Sequence, residues 1–192
     1  IDGKIIRDKY ALDDEPLALF VGRLVPHKGI GILIRSLTYT QRGKLLIIGD
    51  GPYKNWLVNL VKKLDLNDRV IFVGPVDDYW LPSYYSATDV VVLPSTSRLE
   101  AFGIVGLEGM ATAKPLILSD IPGVRDVISE KEGYIVDPLD PSAIAEALEK
   151  IWNAPEMARE MGLRGRERVE KLFSWEKVSK DIESVFRKIL SK

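Results

Sequence analysis

The chain of 192 residues contains no cysteine and a single histidine, His27. Disulfides, thiol catalysis and thiolate metal sites are therefore excluded, as is a histidine-rich metal centre. Long apolar runs are missing too: nothing approaches the ~20 residues that span a bilayer, and the start has no secretory-signal character. A soluble domain is expected, cytoplasmic by default, with membrane-peripheral placement through a longer polypeptide as the alternative. Neither sign of charge dominates, since 27 basic residues face 28 acidic ones. That balance speaks against nucleic acid as a partner and confines any anion site to a local patch. Side-chain amides are scarce: Gln41 is the only glutamine, and Asn55, Asn59, Asn67 and Asn153 are the only asparagines. With abundant Lys and Glu, this is the bias reported for thermophile proteins.

What is present is a regular alternation. Short apolar runs at 17–21, 45–48, 70–73, 90–93, 116–118 and 134–136 are each followed by a turn and a helix-like segment. Continuous rather than alternating apolar character means strands buried on both faces, as in a parallel sheet covered by helices. The expected fold class is α/β, a doubly wound parallel sheet of about six strands with helices on both faces. Helices are expected at 31–38, 53–64, 79–86, 142–152, 155 to about 171, and from 174 to the end, where Ser174 can cap the last one. Pro82 hints at an irregular start to the third, whereas Pro141 and Pro155 suit first turns. In the terminal segment Trp175, Val178, Ile182, Val185, Phe186 and Ile189 form one apolar stripe, inviting self-association. The length suits one domain, 1–192.

In such a sheet ligands bind beyond the carboxyl ends of the strands, where the unusual residues gather. The run Glu100-Ala-Phe-Gly-Ile-Val-Gly-Leu-Glu108 follows the fourth strand. If it is helical from Phe102, eight residues at 1.5 Å rise put the glutamates roughly 12 Å apart. Glycosidase pairs stand at ~5–5.5 Å or ~6.5–9.5 Å, so this spacing suits a grip on two parts of an elongated ligand. Between them the amides of Phe102, Gly103, Ile104 and Val105 would open a helix and attract phosphate. The order carboxylate, anion site, carboxylate matches the sugar, diphosphate and ribose of a nucleotide-sugar; ordinary surface glutamates are the plain alternative. Arg23 and Lys28, after the first strand, could converge on a diphosphate without a metal, or be solvated loop charges. His27 beside them reads as a loop residue. Gly49 and Gly51 fit a tight turn and a close backbone approach to ligand equally well. Gly103, Gly106 and Gly109 lie on nearly one helix face; packing is the expected reason for the last two and substrate approach for Gly103.

These residues give the chain a resemblance, over nearly its whole length, to the C-terminal, nucleotide-sugar-binding half of GT-B glycosyltransferases, specifically the retaining enzymes of glycosyltransferase family 4. It is carried by Phe20-Val-Gly-Arg-Leu-Val-Pro-His-Lys-Gly29, Leu46-Ile-Ile-Gly-Asp-Gly-Pro52, Val70-Ile-Phe-Val-Gly74, Ala87-Thr-Asp-Val-Val-Val-Leu-Pro-Ser95, Glu100 through Glu108, Lys114-Pro115 and Phe173-Ser-Trp-Glu-Lys177. The resemblance implies that Arg23 and Lys28 neutralise the donor diphosphate with Gly22 as a backbone donor, and that Ile104 and Val105 amides meet phosphate. It implies that Glu100 holds donor-sugar hydroxyls near the amides of Phe102 and Gly103, that Glu108 holds the ribose, and that the base rests near Gly74, Pro75 and Val76, with Gly49 close by. No metal and no cofactor would be required beyond a UDP-, GDP- or ADP-sugar substrate. The start at Ile1-Asp2, without methionine, is similar to the end of the family's interdomain segment, so an acceptor half is expected to be missing and the piece alone to bind donor without transferring sugar. Ala101, Gly106, Gly109 and Thr112-Ala113 depart from the usual pattern, none of them at a proposed polar contact. A non-catalytic nucleotide-binding module and a GT-B relative such as a nucleotide-sugar epimerase or a phosphorylase are the alternatives; the acid/base residues of the former enzyme and the cofactor lysine of the latter are not evident.

Overall fold

The computed structural model describes residues 2–12 and 14–190. Six strands form one parallel sheet: β1 (Leu17–Val21), β2 (Lys44–Ile48), β3 (Val70–Gly74), β4 (Val90–Leu93), β5 (Leu116–Ser119) and β6 (Gly133–Val136). Their spatial order is β3-β2-β1-β4-β5-β6. All six expected strands are present, with ends shifted by a residue at most. Central β1, β4 and β5 are buried almost throughout, while edge strands β3 and β6 carry partly exposed residues. Each fully buried Leu, Ile or Phe of the central strands contributes roughly 1.5–3 kcal/mol.

The helices are α1 (Lys4–Lys9), α2 (Ile30–Ser36), α3 (Lys54–Lys63), α4 (Leu81–Ala87), α5 (Ile104–Ala111), α6 (Pro141–Trp152), α7 (Pro155–Leu172) and α8 (Trp175–Leu190). Two cores result, one on each face. Leu33, Ile34, Leu57 and Leu148, from α2, α3 and α6, pack on one side of the sheet. Ile6, Tyr84, Tyr85 and Met110, from α1, α4 and α5, pack on the other. Helix α6 starts where its local chemistry dictates: Asp140 accepts the Ser142 N–H at 2.8 Å, Pro141 occupies the first turn, and Ile144, Leu148 and Ile151 fall on the buried face.

Four elements depart from expectation. Helix α4 starts at Leu81 rather than at residue 79, after a turn over 78–80; this is the irregular start expected there, and Pro82 fits the first turn, where its missing N–H has no helical partner. The segment expected as one helix over 31–38 ends at Ser36 and tightens into a 3-10 turn, Leu37–Tyr39. Helix α1 escapes the sequence pattern because its six residues offer only Ile6 to the core. Helix α5 starts at Ile104 rather than Phe102, since Gly103 takes the left-handed conformation (φ 80°) and serves as its N-cap. Ser174 does cap α8, accepting the Lys177 N–H at 3.3 Å; Ile1, Ser191 and Lys192, part of the expected linker and helix end, lie outside the described residues.

Candidate functional site

Beta strands β1 and β4 are neighbours, yet the chain leaves β1 towards β2 and leaves β4 towards β5. The connections diverge, opening a crevice at the carboxyl ends of these two strands. The loop from β1 supplies Gly22, Arg23 and Lys28, and the loop from β4 supplies Ser95 and Glu100. Two backbone contacts hold the loops together. The Thr96 N–H donates to the His27 carbonyl at 2.8 Å, and Gly29 packs so closely that a Cβ there would stand 1.8 Å from the Pro94 carbonyl oxygen.

Across this junction the Lys28 ammonium forms an ion pair with Glu100 Oε2, and the Ser95 hydroxyl donates to the same oxygen at 3.2 Å. The Lys28 and Glu100 side chains are only 18% and 12% exposed, and Ser95 is fully buried. Screening from water strengthens the attraction within the pair while both charges bear a desolvation cost, and the carboxylate is held by two donors. Arg23 is exposed and forms no ion pair among the described residues; it shares the crevice edge with Lys28 without joining the pair.

Glu100 lies in the loop, four residues before α5, so helix rise accounts for only part of its separation from Glu108. Phe102 likewise precedes the helix; its ring meets Phe173 edge-on at 5.7 Å. Ile104 and Val105 are the first helical residues, no side chain caps α5, and no acid sits in its first turn. Their amides and the positive end of the helix are thus open to an anion. Glu108, four residues further on, accepts a 2.5 Å hydrogen bond from the Tyr85 hydroxyl of α4.

The glycines divide by reason. Gly103 is explained by its positive φ, and an added Cβ would stand 2.5 Å from Leu93. Gly109 is explained by packing, 2.8 Å from a Leu116 methyl, whereas Gly106 has ordinary room, 3.5 Å or more from its neighbours. Gly49 donates to the Gly74 carbonyl, and its would-be Cβ is 2.0 Å from the Gly22 carbonyl oxygen, so the turn alone requires it. Gly51 likewise lies against backbone, 2.5 Å from the Leu24 carbonyl oxygen. The Gly22 N–H is engaged by the Ile48 carbonyl at 3.0 Å, so this residue offers a ligand open approach more than a free donor. Gly74 has nothing within 4 Å of its would-be Cβ, and the adjoining Pro75 and Val76 border a cavity of about 320 Å³. A larger cavity, about 670 Å³, lies beside Pro16, Asp89 and Pro115 at the amino ends of the strands, away from the crevice.

Sequence reasoning placed Ser95 at the strand end without a role and gave no role to Tyr85. An apolar-looking Tyr-Tyr pair in a helix reads as core, and its hydroxyl partner comes from another helix. Among the described residues no group of three or more His, Asp or Glu could hold a metal, and no helix is long and apolar enough to cross a membrane.

The strand order and the charged crevice at its switch point define a Rossmann-like domain of the kind that binds phosphorylated small molecules. The chain belongs to the family Glycosyl transferases group 1, which matches residues 2–168. It is 37% identical over 161 residues to the alpha-D-kanosaminyltransferase of Streptomyces kanamyceticus, covering 81% of this chain and 41% of that protein. Sucrose-phosphate synthase from Thermosynechococcus elongatus superposes with a TM-score of 0.87 at 35% identity, over 100% of this chain and 51% of that one. Anabaena HepE, solved in complex with UDP, superposes with a TM-score of 0.91 at 22% identity, over 97% of this chain and 52% of that one, and shows the shared fold. The chain thus spans about half or less of the length of the curated relatives it matches.

Proposed function

We propose that the chain is the donor-binding, C-terminal half of a retaining GT-B glycosyltransferase of family 4, and that its substrate is a nucleotide-sugar. The observation that carries this reading is the screened Lys28–Glu100 pair at the switch point, beside an uncapped helix start. Glu100 takes donor-sugar hydroxyls, aided by the amides of Phe102 and Gly103. Arg23, Lys28 and the amides of Ile104 and Val105 take the diphosphate, with Gly22 allowing close approach. Glu108 takes the ribose hydroxyls, and the base lies against Gly74, Pro75 and Val76, near Gly49.

These roles give a mechanism without a metal. As the bond between sugar and diphosphate breaks, negative charge grows on the leaving diphosphate. Cations and amides already in place stabilise that charge without reorganising, which lowers the barrier more than it tightens ground-state binding. Glu100 fixes the sugar so that the acceptor attacks from the face the diphosphate leaves, giving retention, and the leaving phosphate oxygen accepts the acceptor proton. The acceptor itself is held by the half outside this chain.

A panel of UDP-, GDP- and ADP-sugars is expected to single out one base by raising the melting temperature of the 192-residue chain. At a hundredfold excess over the dissociation constant the gain is about 2.7 kcal/mol, or roughly 5–11 °C for a domain of this size. No stabilisation by any member would overturn the donor-site reading. The same chain is expected to transfer no sugar to any acceptor, and robust turnover would refute its assignment as a half-enzyme. Helix α8 exposes Trp175, Ile182, Phe186 and Ile189 along one side, so the isolated chain is expected to self-associate through that stripe; a strictly monomeric light-scattering mass at high concentration would count against this.

A further inference from the structure

We propose that Tyr85 is a positioning residue that fixes the Glu108 carboxylate for the ribose hydroxyls of the donor and thereby sets the preference for ribo- over deoxyribonucleotides; this rests on reading Glu108 as the ribose end of the site. The two ends of the Tyr85–Glu108 hydrogen bond sit in different surroundings. Tyr85, on α4, is 2% exposed and belongs to the core that α4 and α5 pack onto the sheet, whereas Glu108 is half-buried on α5. A half-exposed glutamate otherwise samples many rotamers, and a ligand must then order it on binding. Here the 2.5 Å bond ties Oε2 to a rigid partner, and no other side chain or backbone group among the described residues bonds the carboxylate. One oxygen is anchored and the other is left to accept from a ligand hydroxyl.

The neighbouring tyrosine of the same helix makes a different kind of contact. Tyr84 pairs at 3.2 Å with the hydroxyl of Tyr10, the residue that ends α1, and has no carboxylate partner in that bond. Tyr85 instead points its hydroxyl at a carboxylate. Burial, followed by the bond to Glu108, pushes its pKa well above the ordinary tyrosine value, so the group remains a donor throughout the working pH range.

The test compares UDP, GDP and ADP, each beside its 2′-deoxy and 3′-deoxy counterparts, titrated into the chain and read by tryptophan fluorescence or ligand NMR. The wild-type chain is expected to prefer the ribo form of its nucleotide roughly tenfold, the scale of a hydrogen bond to a charged group. Tyr85→Phe keeps the ring and the packing, so its melting temperature should stay close to wild type while the ribo preference falls to about twofold. Glu108→Gln should flatten the preference too, and the double variant should go no further than Glu108→Gln alone. A merely structural Tyr85 would weaken ribo and deoxy forms alike and leave their ratio unchanged. If Glu108→Gln flattens the ratio and Tyr85→Phe does not, the positioning role is wrong and the ribose reading stands. If the wild type fails to distinguish the forms, or Glu108→Gln leaves the ratio untouched, the ribose reading falls and the positioning role with it.

Discussion

Glu100→Ala is expected to lower sugar transfer by the full-length enzyme about 10²–10³-fold, the usual loss when one preorganised polar contact to the reacting group is removed. The residue sits at the junction of the β1 and β4 loops, where its carboxylate is held by Lys28 and by Ser95. Removing it has two separable effects. Donor-sugar hydroxyls lose their acceptor, which acts on turnover. Lys28 loses its screened counter-charge, which acts on stability: a fully buried pair broken on one side costs about 3–5 kcal/mol, and the partial exposure here reduces that to about 1–2 kcal/mol, or roughly 2–8 °C in melting temperature. Nucleoside diphosphate binding should hold or tighten, because an ammonium released from Glu100 is freer to meet phosphate. Turnover and nucleoside diphosphate affinity measured on the same variant decide the matter. Parallel loss of both would sink the assignment of Glu100 to the sugar, and unchanged turnover would favour a non-catalytic nucleotide-binding module.

How much of this was legible follows from the range of the interactions concerned. Strand positions were readable because a parallel strand buried on both faces is a continuous apolar run, as at Val90–Leu93. Placing Lys28 and Glu100 at one edge followed from where βα turns must lie in a doubly wound sheet. Their direct pairing did not follow, since the two stand 72 positions apart and the contact depends on how the loops cross. The start of α5, two residues after Phe102, is set by a glycine in the left-handed region, which ends a helix pattern without changing its apolar periodicity. Helix α1 was invisible because a six-residue amphipathic turn has too few core positions to register. Tyr85 was hidden for a different reason: its ring obeys the core pattern, and only the hydroxyl, about which periodicity says nothing, reaches the site. The departures therefore concentrate where loops or side-chain tips decide the geometry, which is also where the ligand would sit.

Gly29→Ala is expected to damage the fold severely, and it tests whether the site depends on that loop crossing. Gly29 has φ 69°, where a left-handed alanine costs roughly 1–2 kcal/mol. Its new Cβ would in addition stand 1.8 Å from the Pro94 carbonyl oxygen and 3.2 Å from the Thr96 methyl, so one backbone must move away from the other. The expected total exceeds about 3 kcal/mol, a fall of roughly 6–12 °C in melting temperature, with poor soluble yield as the extreme outcome. Gly74→Ala supplies the comparison, since Gly74 has φ 83° but open space around its would-be Cβ, so only the conformational cost applies there. The difference between the two variants isolates the crossing of the β1 and β4 loops. That crossing also carries Lys28 to Glu100, so at a temperature where both variants remain folded Gly29→Ala should weaken nucleotide-sugar binding beyond what its lost stability explains. If the two alanine variants melt within a degree or two of each other, the loops are not held by this contact, and the Lys28–Glu100 pair must owe its geometry to something else.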